Sequence, residues 1–161
     1  MFRKNKLFEI NKIFEKNKKI NFIQDTPLIS SLKKKMLLKK KRHFFSIWPS
    51  FFPTSCIVFK RDFFQNFLKV LRKNEFPNLE IDARLSIYAH IKKQFLFTKK
   101  CLTIYNFDEN GISSKYKKFN KNWWKKRNEA FKYMIFLMKK LNVKSFFGPD
   151  FYLTKIINFF I

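Results

Sequence analysis

The chain has 161 residues, and its 36 Lys and Arg against 11 Asp and Glu leave a formal charge of +25. Solubility needs far less, and a charge of this size repels itself, so a polyanionic partner is the simplest reason to keep it. Apolar content of 46% and aromatic content of 20% exceed what a disordered polycation carries, which predicts a packed core.

Phe, Lys, Ile and Asn make 84 of the 161 residues, whereas Gly appears twice and Ala three times. All four abundant types are spelled by A- and T-rich codons, so the skew points to an AT-rich coding genome such as an organelle's. Some of these aromatics then reflect codon drift. The Phe-rich runs are cut by Lys or polar residues well before the roughly 18–20 consecutive apolar positions of a membrane span. Cys56 and Cys101 are far apart and read as ordinary buried thiols. The first 23 residues lack the continuous apolar stretch of a secretory signal. A mitochondrial presequence stays open as an alternative there, although such segments favour Arg and avoid acids whereas this one has Lys, Glu9 and Glu15, and a protein made inside the organelle would need none.

Residues 1–50 read as a basic extension with a net charge of +11. Leu7, Ile10, Ile13 and Phe14 recur at helical spacing and predict a short amphipathic helix ending before Pro27. Lys33, Lys34, Lys35 and then Lys39, Lys40, Lys41, Arg42 form two cationic clusters suited to phosphate contact. Pro49 and Pro53 place a domain boundary near residue 50. Beyond it, 55–60 reads as a strand. A helix over about 62–74 follows, with Asp62 able to cap it and Phe63, Phe64, Phe67, Leu68 and Leu71 at threes and fours. Leu85, Ile87, Ala89 and Ile91 alternate with Ser86, Tyr88 and His90, predicting a strand over 84–91 antiparallel to another over 95–107. A helix over about 122–141 carries Phe131, Met134, Ile135, Met138 and Leu141 on its apolar stripe. Residues 143–147 read as a last strand, and 156–161 as an apolar tail. The expected class is therefore α+β: a small ferredoxin-like (split βαβ) domain over 51–155 behind a basic, partly helical N-terminal extension.

Catalysis has no support in this sequence. Gly111 and Gly148 cannot make a Gly-rich phosphate loop, His43 and His90 stand without metal-ligand neighbours, and Asp82, Asp108, Glu109 and Glu129 form no acid and base pair. No metal, cofactor or small-molecule substrate is expected. The informative stretch is 115–127, where Lys115, Lys117, Lys118, Lys121, Lys125, Lys126 and Arg127 interleave with Tyr116, Phe119, Trp123 and Trp124. Cations bind phosphates and flat rings stack on unpaired bases, so the mixture suits folded RNA. Trp124 and Phe131 are expected in the core and Trp123 nearer solvent.

Cys56 to Lys60, Asp62 to Lys73, Phe97 to Ile104, Lys121 to Glu129 and Phe136 to Val143 follow one another in an order that resembles the universal small-subunit ribosomal protein ten family, in an organellar form. The similarity spans about residues 55–148. Phe97 stands where the family usually has Pro, and Asn106-Phe107-Asp108 replaces its Ser-Pro-His turn. The resemblance implies a structural role in the small subunit of a mitochondrial ribosome in the matrix, against ribosomal RNA and neighbouring ribosomal proteins. The alternative is an accessory subunit of an organellar inner-membrane respiratory complex, with the apolar tail buried in a partner; direct membrane binding is not the expectation.

Overall fold

The computed structural model describes residues 3–30, 34–35, 52–72, 74–106, 116–117, 119–144 and 147–161, with the backbone alone at 34–35. The first helix, α1 (Lys6–Lys16), forms where the helical spacing predicts it. It buries Ile10 and Phe14 and leaves Leu7 exposed. The chain then enters β1 (Phe22–Ile29), which becomes the middle strand of the sheet. The strand β4 (Phe95–Tyr105) lies parallel to it along one whole edge, from Phe22 opposite Phe95 to Ile29 opposite Tyr105. The other edge is shared by two short antiparallel strands, β3 (Ile57–Phe59) against residues 22–24 and β2 (Lys34–Lys35) against 28–29. Within the expected N-terminal extension, residues 22–29 thus supply the central strand of the sheet, while 36–51, with the expected boundary, lie outside the described residues.

Successive strand residues face opposite sides, so Phe22 and Ile23 enter different cores. Phe22 joins the larger one, where α2 (Arg61–Leu68), α3 (Ile81–Ile91) and α4 (Lys121–Lys140) bury Phe67, Ile87, Phe131, Tyr133 and Leu137. Ile23 meets Ile10, Phe14 and Leu102 beneath α1. At its coarsest level this is the expected α+β class, a small mixed sheet with helices, compatible with a small ferredoxin-like unit plus helical additions.

The assignment of segments within that class changes in three places. Arg84 to Ile91 belongs to a helix, and β4 pairs with β1 instead. All seven residues from Ala83 to Ala89 are buried, so α3 has no polar face to reveal a helical period, and its chance alternation imitates a strand. No strand forms at 143–144 or 147, while 145–146 lie outside the described residues. The supposed apolar tail is the end of a fifth helix, α5 (Pro149–Phe160). Both α3 and α4 close with a left-handed residue that is not glycine, Lys93 (φ 54°) and Asn142 (φ 52°). Gln94 N donates to Ala89 O at 3.0 Å and Val143 N to Met138 O at 2.8 Å, which satisfies the last carbonyls of each helix.

A buried ion pair explains how Asp25, Thr26 and Pro27 can sit inside a central strand. The register with β4 slips between Asp25 opposite Thr98 and Pro27 opposite Thr103, so residues 99–102 bulge around the single Thr26. A bulge is where proline's missing N–H does least harm. The Asp25 carboxylate accepts from Leu102 N and from Thr103 Oγ1, both at 3.1 Å. Lys6 Nζ then reaches Asp25 at 2.8 Å, Thr103 Oγ1 at 2.7 Å and Ser55 O at 2.9 Å, with side-chain exposures of 6% for Lys6 and 0% for Asp25. One ammonium joins α1, β1, β4 and the short 3₁₀ turn Thr54–Cys56. Removing only one partner strands the other charge in the interior, which costs about 3–5 kcal/mol. Lys6→Met is therefore expected to lower urea-unfolding stability by about that much, and adding Asp25→Asn to recover part of the loss; a double variant less stable than Lys6→Met alone contradicts the pairing.

Candidate nucleic-acid interface

Asn120 starts α4 by accepting a hydrogen bond from Trp123 N at 2.7 Å through its side-chain oxygen. This cap fixes the phase of the helix, turning Trp124, Phe131 and Met134 into the core and leaving Trp123 half-buried at its rim. Trp123 and Trp124 meet edge to face at 4.6 Å, and the Phe119 ring, 72% exposed, lies 5.4 Å from Trp123. Phe119 is held at φ 67° just ahead of the helix. The expected division between the two tryptophans is what is found.

Charge around this turn is unusual for a helix start. The N-terminal end of a helix carries partial positive charge and normally recruits Asp or Glu. The first turn of α4 contains no acid and begins with Lys121. Lys117, Lys121 and Lys125 are all exposed, so the dipole and the side chains add to one anion-attracting field instead of cancelling.

Two of the expected RNA-binding cations are engaged inside the protein. Lys126 pairs with Glu80 at 2.5 Å and covers the Tyr116 ring at 4.2 Å. Arg127 pairs with Asp150 at 2.6 Å, donates to Thr154 Oγ1 at 2.9 Å and lies between the Trp123 and Phe131 rings. Arg127 thereby docks α5 through that helix's polar side. Lys155 reaches Asn128, and Asn158 donates to Trp124 O, from the same side. Tyr152, Leu153, Ile156, Phe159 and Phe160 are left facing outward. Glu80, Asp150 and Thr154 are the partners that sequence reasoning did not identify, since they lie 23 or more residues from the cations they hold.

Of the remaining expected residues, Lys34 and Lys35 form β2, so their backbone pairs with Ile29 and Leu28. Lys33, Lys39, Lys40, Lys41, Arg42, Lys115 and Lys118 lie outside the described residues. The described part of the interface is therefore Lys117, Lys121, Trp123 and Lys125, with Phe119 beside them.

Reactive groups elsewhere are disarmed or scattered. Among the described residues no group of three His, Cys, Asp or Glu side chains could hold a metal ion. The Cys56 thiol is buried, and burial, reinforced by the Asp25 charge, pushes its pKa up to about 11. Only about one molecule in a thousand then carries the nucleophilic thiolate at pH 8. Iodoacetamide at pH 8 is expected to alkylate the half-buried Cys101 well before Cys56, as read by peptide mass spectrometry; equal rates contradict this placement.

Comparison with protein-family models, with curated proteins and with solved structures found no match to this chain.

Proposed function

We propose that this chain is a structural, rRNA-binding constituent of the small subunit of a mitochondrial ribosome, of the ribosomal protein ten family, and that it performs no catalysis. The observation that carries the reading is the uncancelled positive start of α4, where Lys117, Lys121 and Lys125 flank the exposed Phe119 ring and the half-buried Trp123. Such cations neutralise phosphates and displace counterions, while the rings offer faces to unstacked bases. The family reading is supported by β3, α2, β4 and α4, which fall on the matched segments in the order strand, helix, strand and helix. Helix α3 departs from the arrangement assigned between them.

The direct test is sedimentation: the chain is expected to travel with small ribosomal subunits of its organelle through a high-salt gradient, and consistent absence from them refutes the ribosomal role. In vitro, affinity for a structured rRNA fragment should fall steeply with salt. Lys117→Gln, Lys121→Gln and Lys125→Gln together should reduce the slope of log K against log salt by about 2–3, at about 0.7–0.9 per phosphate contact. Trp123→Ala should cost about 1–3 kcal/mol of binding if the ring stacks on a base.

The outward stripe of α5 favours a second reading, an accessory subunit of an organellar inner-membrane complex. Residues 152, 153, 156, 159 and 160 share one helix face and are all exposed, Phe159 by 85%. Among the described residues no helix is long and apolar enough to cross a membrane, so on this reading α5 packs against a partner's helices. Carbonate extraction of organelle membranes separates the readings: a subunit embedded with its partners stays in the membrane pellet, whereas a ribosomal protein is released by nuclease.

A further inference from the structure

The end of the sheet where β1 begins gathers three segments that are remote in sequence. Asn21 N and Phe22 N both donate to Gln94 O at 3.1 Å, and Lys60 N donates to Asn21 O at 3.0 Å. Lys60 and Gln94 therefore flank Asn21 on neighbouring strands, about 10 Å apart. Each segment brings two adjacent cations to this pole: Lys18 and Lys19 before β1, Lys60 and Arg61 after β3, and Lys92 and Lys93 before β4. Five are exposed, and the Lys60 ammonium lies over the Phe14 ring at 5.2 Å. The neighbouring carboxylates are Glu15, which pairs with Lys18 at 2.5 Å, and Asp62.

Fold stability does not account for the whole of this cluster. Helix dipoles favour cations at C-termini, which covers Lys92 and Lys93 after α3 and Lys18 and Lys19 after α1. Lys60 and Arg61 stand at the N-terminus of α2, where the dipole opposes them. Ring faces stand among the charges: Phe59 stacks on Phe64 at 4.9 Å, and the exposed His90 stacks on Phe95 at 4.0 Å. The position of the pole matters as much as its charge. Glu80, at the N-terminal end of α3, holds Lys126 of the α4 interface, whereas Lys92 and Lys93 follow the C-terminal end of the same helix. Eleven helical residues place the two basic surfaces about 16 Å apart.

We propose that this pole is a second RNA-phosphate-binding surface, and that the chain uses its two basic faces at opposite ends of α3 to hold two RNA segments at a fixed separation. The inference rests on the RNA-binding reading above and adds to it a second site and a bridging geometry. The chemistry required is that of a sugar-phosphate backbone with some unpaired bases, since contact is through scattered cations and rings and not through a pocket.

The test uses the full chain and two fluorescently distinct single-stranded RNA oligonucleotides. Two variants are compared with wild type: Lys18→Gln, Lys19→Gln, Lys92→Gln and Lys93→Gln together at the pole, and Lys117→Gln, Lys121→Gln and Lys125→Gln together at α4. Wild type is expected to bring both oligonucleotides into one complex, giving energy transfer between the labels. The pole variant is expected to keep one-RNA binding, lose the energy transfer, and show a salt slope for the total binding shallower by about 3. Replacing the same four pole lysines by arginine preserves charge and should preserve energy transfer, which separates lost phosphate contact from lost folding. A pole variant that bridges as well as wild type overturns the second site while leaving RNA binding intact. A wild-type chain that binds neither oligonucleotide nor rRNA overturns both readings.

Discussion

The arrangement depends on one buried ammonium. Lys6 is placed by α1 so that its Nζ reaches Asp25, Thr103 and Ser55 together, and each of these comes from a different element. A carboxylate buried in the sheet needs an opposite charge and hydrogen-bond donors, and Asp25 has them in Lys6 and the Leu102 N–H. The bulge that supplies the Leu102 N–H also makes room for Pro27. Because α1 is pinned to the sheet, the turn after it brings Lys18 and Lys19 to the end of the sheet where Asn21 bonds to Lys60 and Gln94. An interaction in the interior thus sets the charge pattern on the surface.

A chain so rich in cations puts some of them to structural use. Arg84 is buried and donates to three carbonyls, of Arg72, Phe76 and Leu79, and so folds the loop between α2 and α3 around one guanidinium. Phe76 sits there at φ 64°. Arg127 fastens α5 and Lys126 fastens the start of α3. Among the many cations that stay exposed, one group gathers at the start of α4 and another at the start of β1. Long-range attraction of a polyanion needs only the sum of these charges, but orientation on it needs their separation, which α3 supplies.

Much of this was legible in the sequence where one face of an element is apolar and the other is not. Helices α1 and α4 and strand β4 have that contrast, β3 is marked by its short β-branched apolar run, and Trp124 could be placed inside because it shares a stripe with Phe131 and Met134. Helix α3 lacks the contrast, being buried on all sides. Its better signals were Asp82 in the first turn and Lys92-Lys93 after the last, which suit a helix dipole. Strand β1 was hidden by Asp25, Thr26 and Pro27, residues that strands normally exclude and that only the bulge and Lys6 accommodate. The end of α5 reads as a tail over 156–161 because five of its six residues are apolar and give no helical period. In the candidate site, spacing identified the basic and aromatic character of 117–127 but could not show that Lys126 and Arg127 were taken, since Glu80 and Asp150 meet them only in three dimensions. The pole was invisible for the same reason, its six cations coming from three separate segments.

Some lysines are spent on the fold and others are turned toward RNA, and residue-resolved acylation of amines reads that division directly. The protein would be treated with an amine-reactive ester alone and within the ribosomal particle, and each lysine scored by mass spectrometry. Lys6 should resist in both states while its neighbour Lys4 reacts in the free chain. Lys18, Lys19, Lys92, Lys93, Lys121 and Lys125 should react when the chain is free and become protected in the particle. A Lys6 as reactive as Lys4, or surface lysines that stay equally reactive in the particle, would contradict the account.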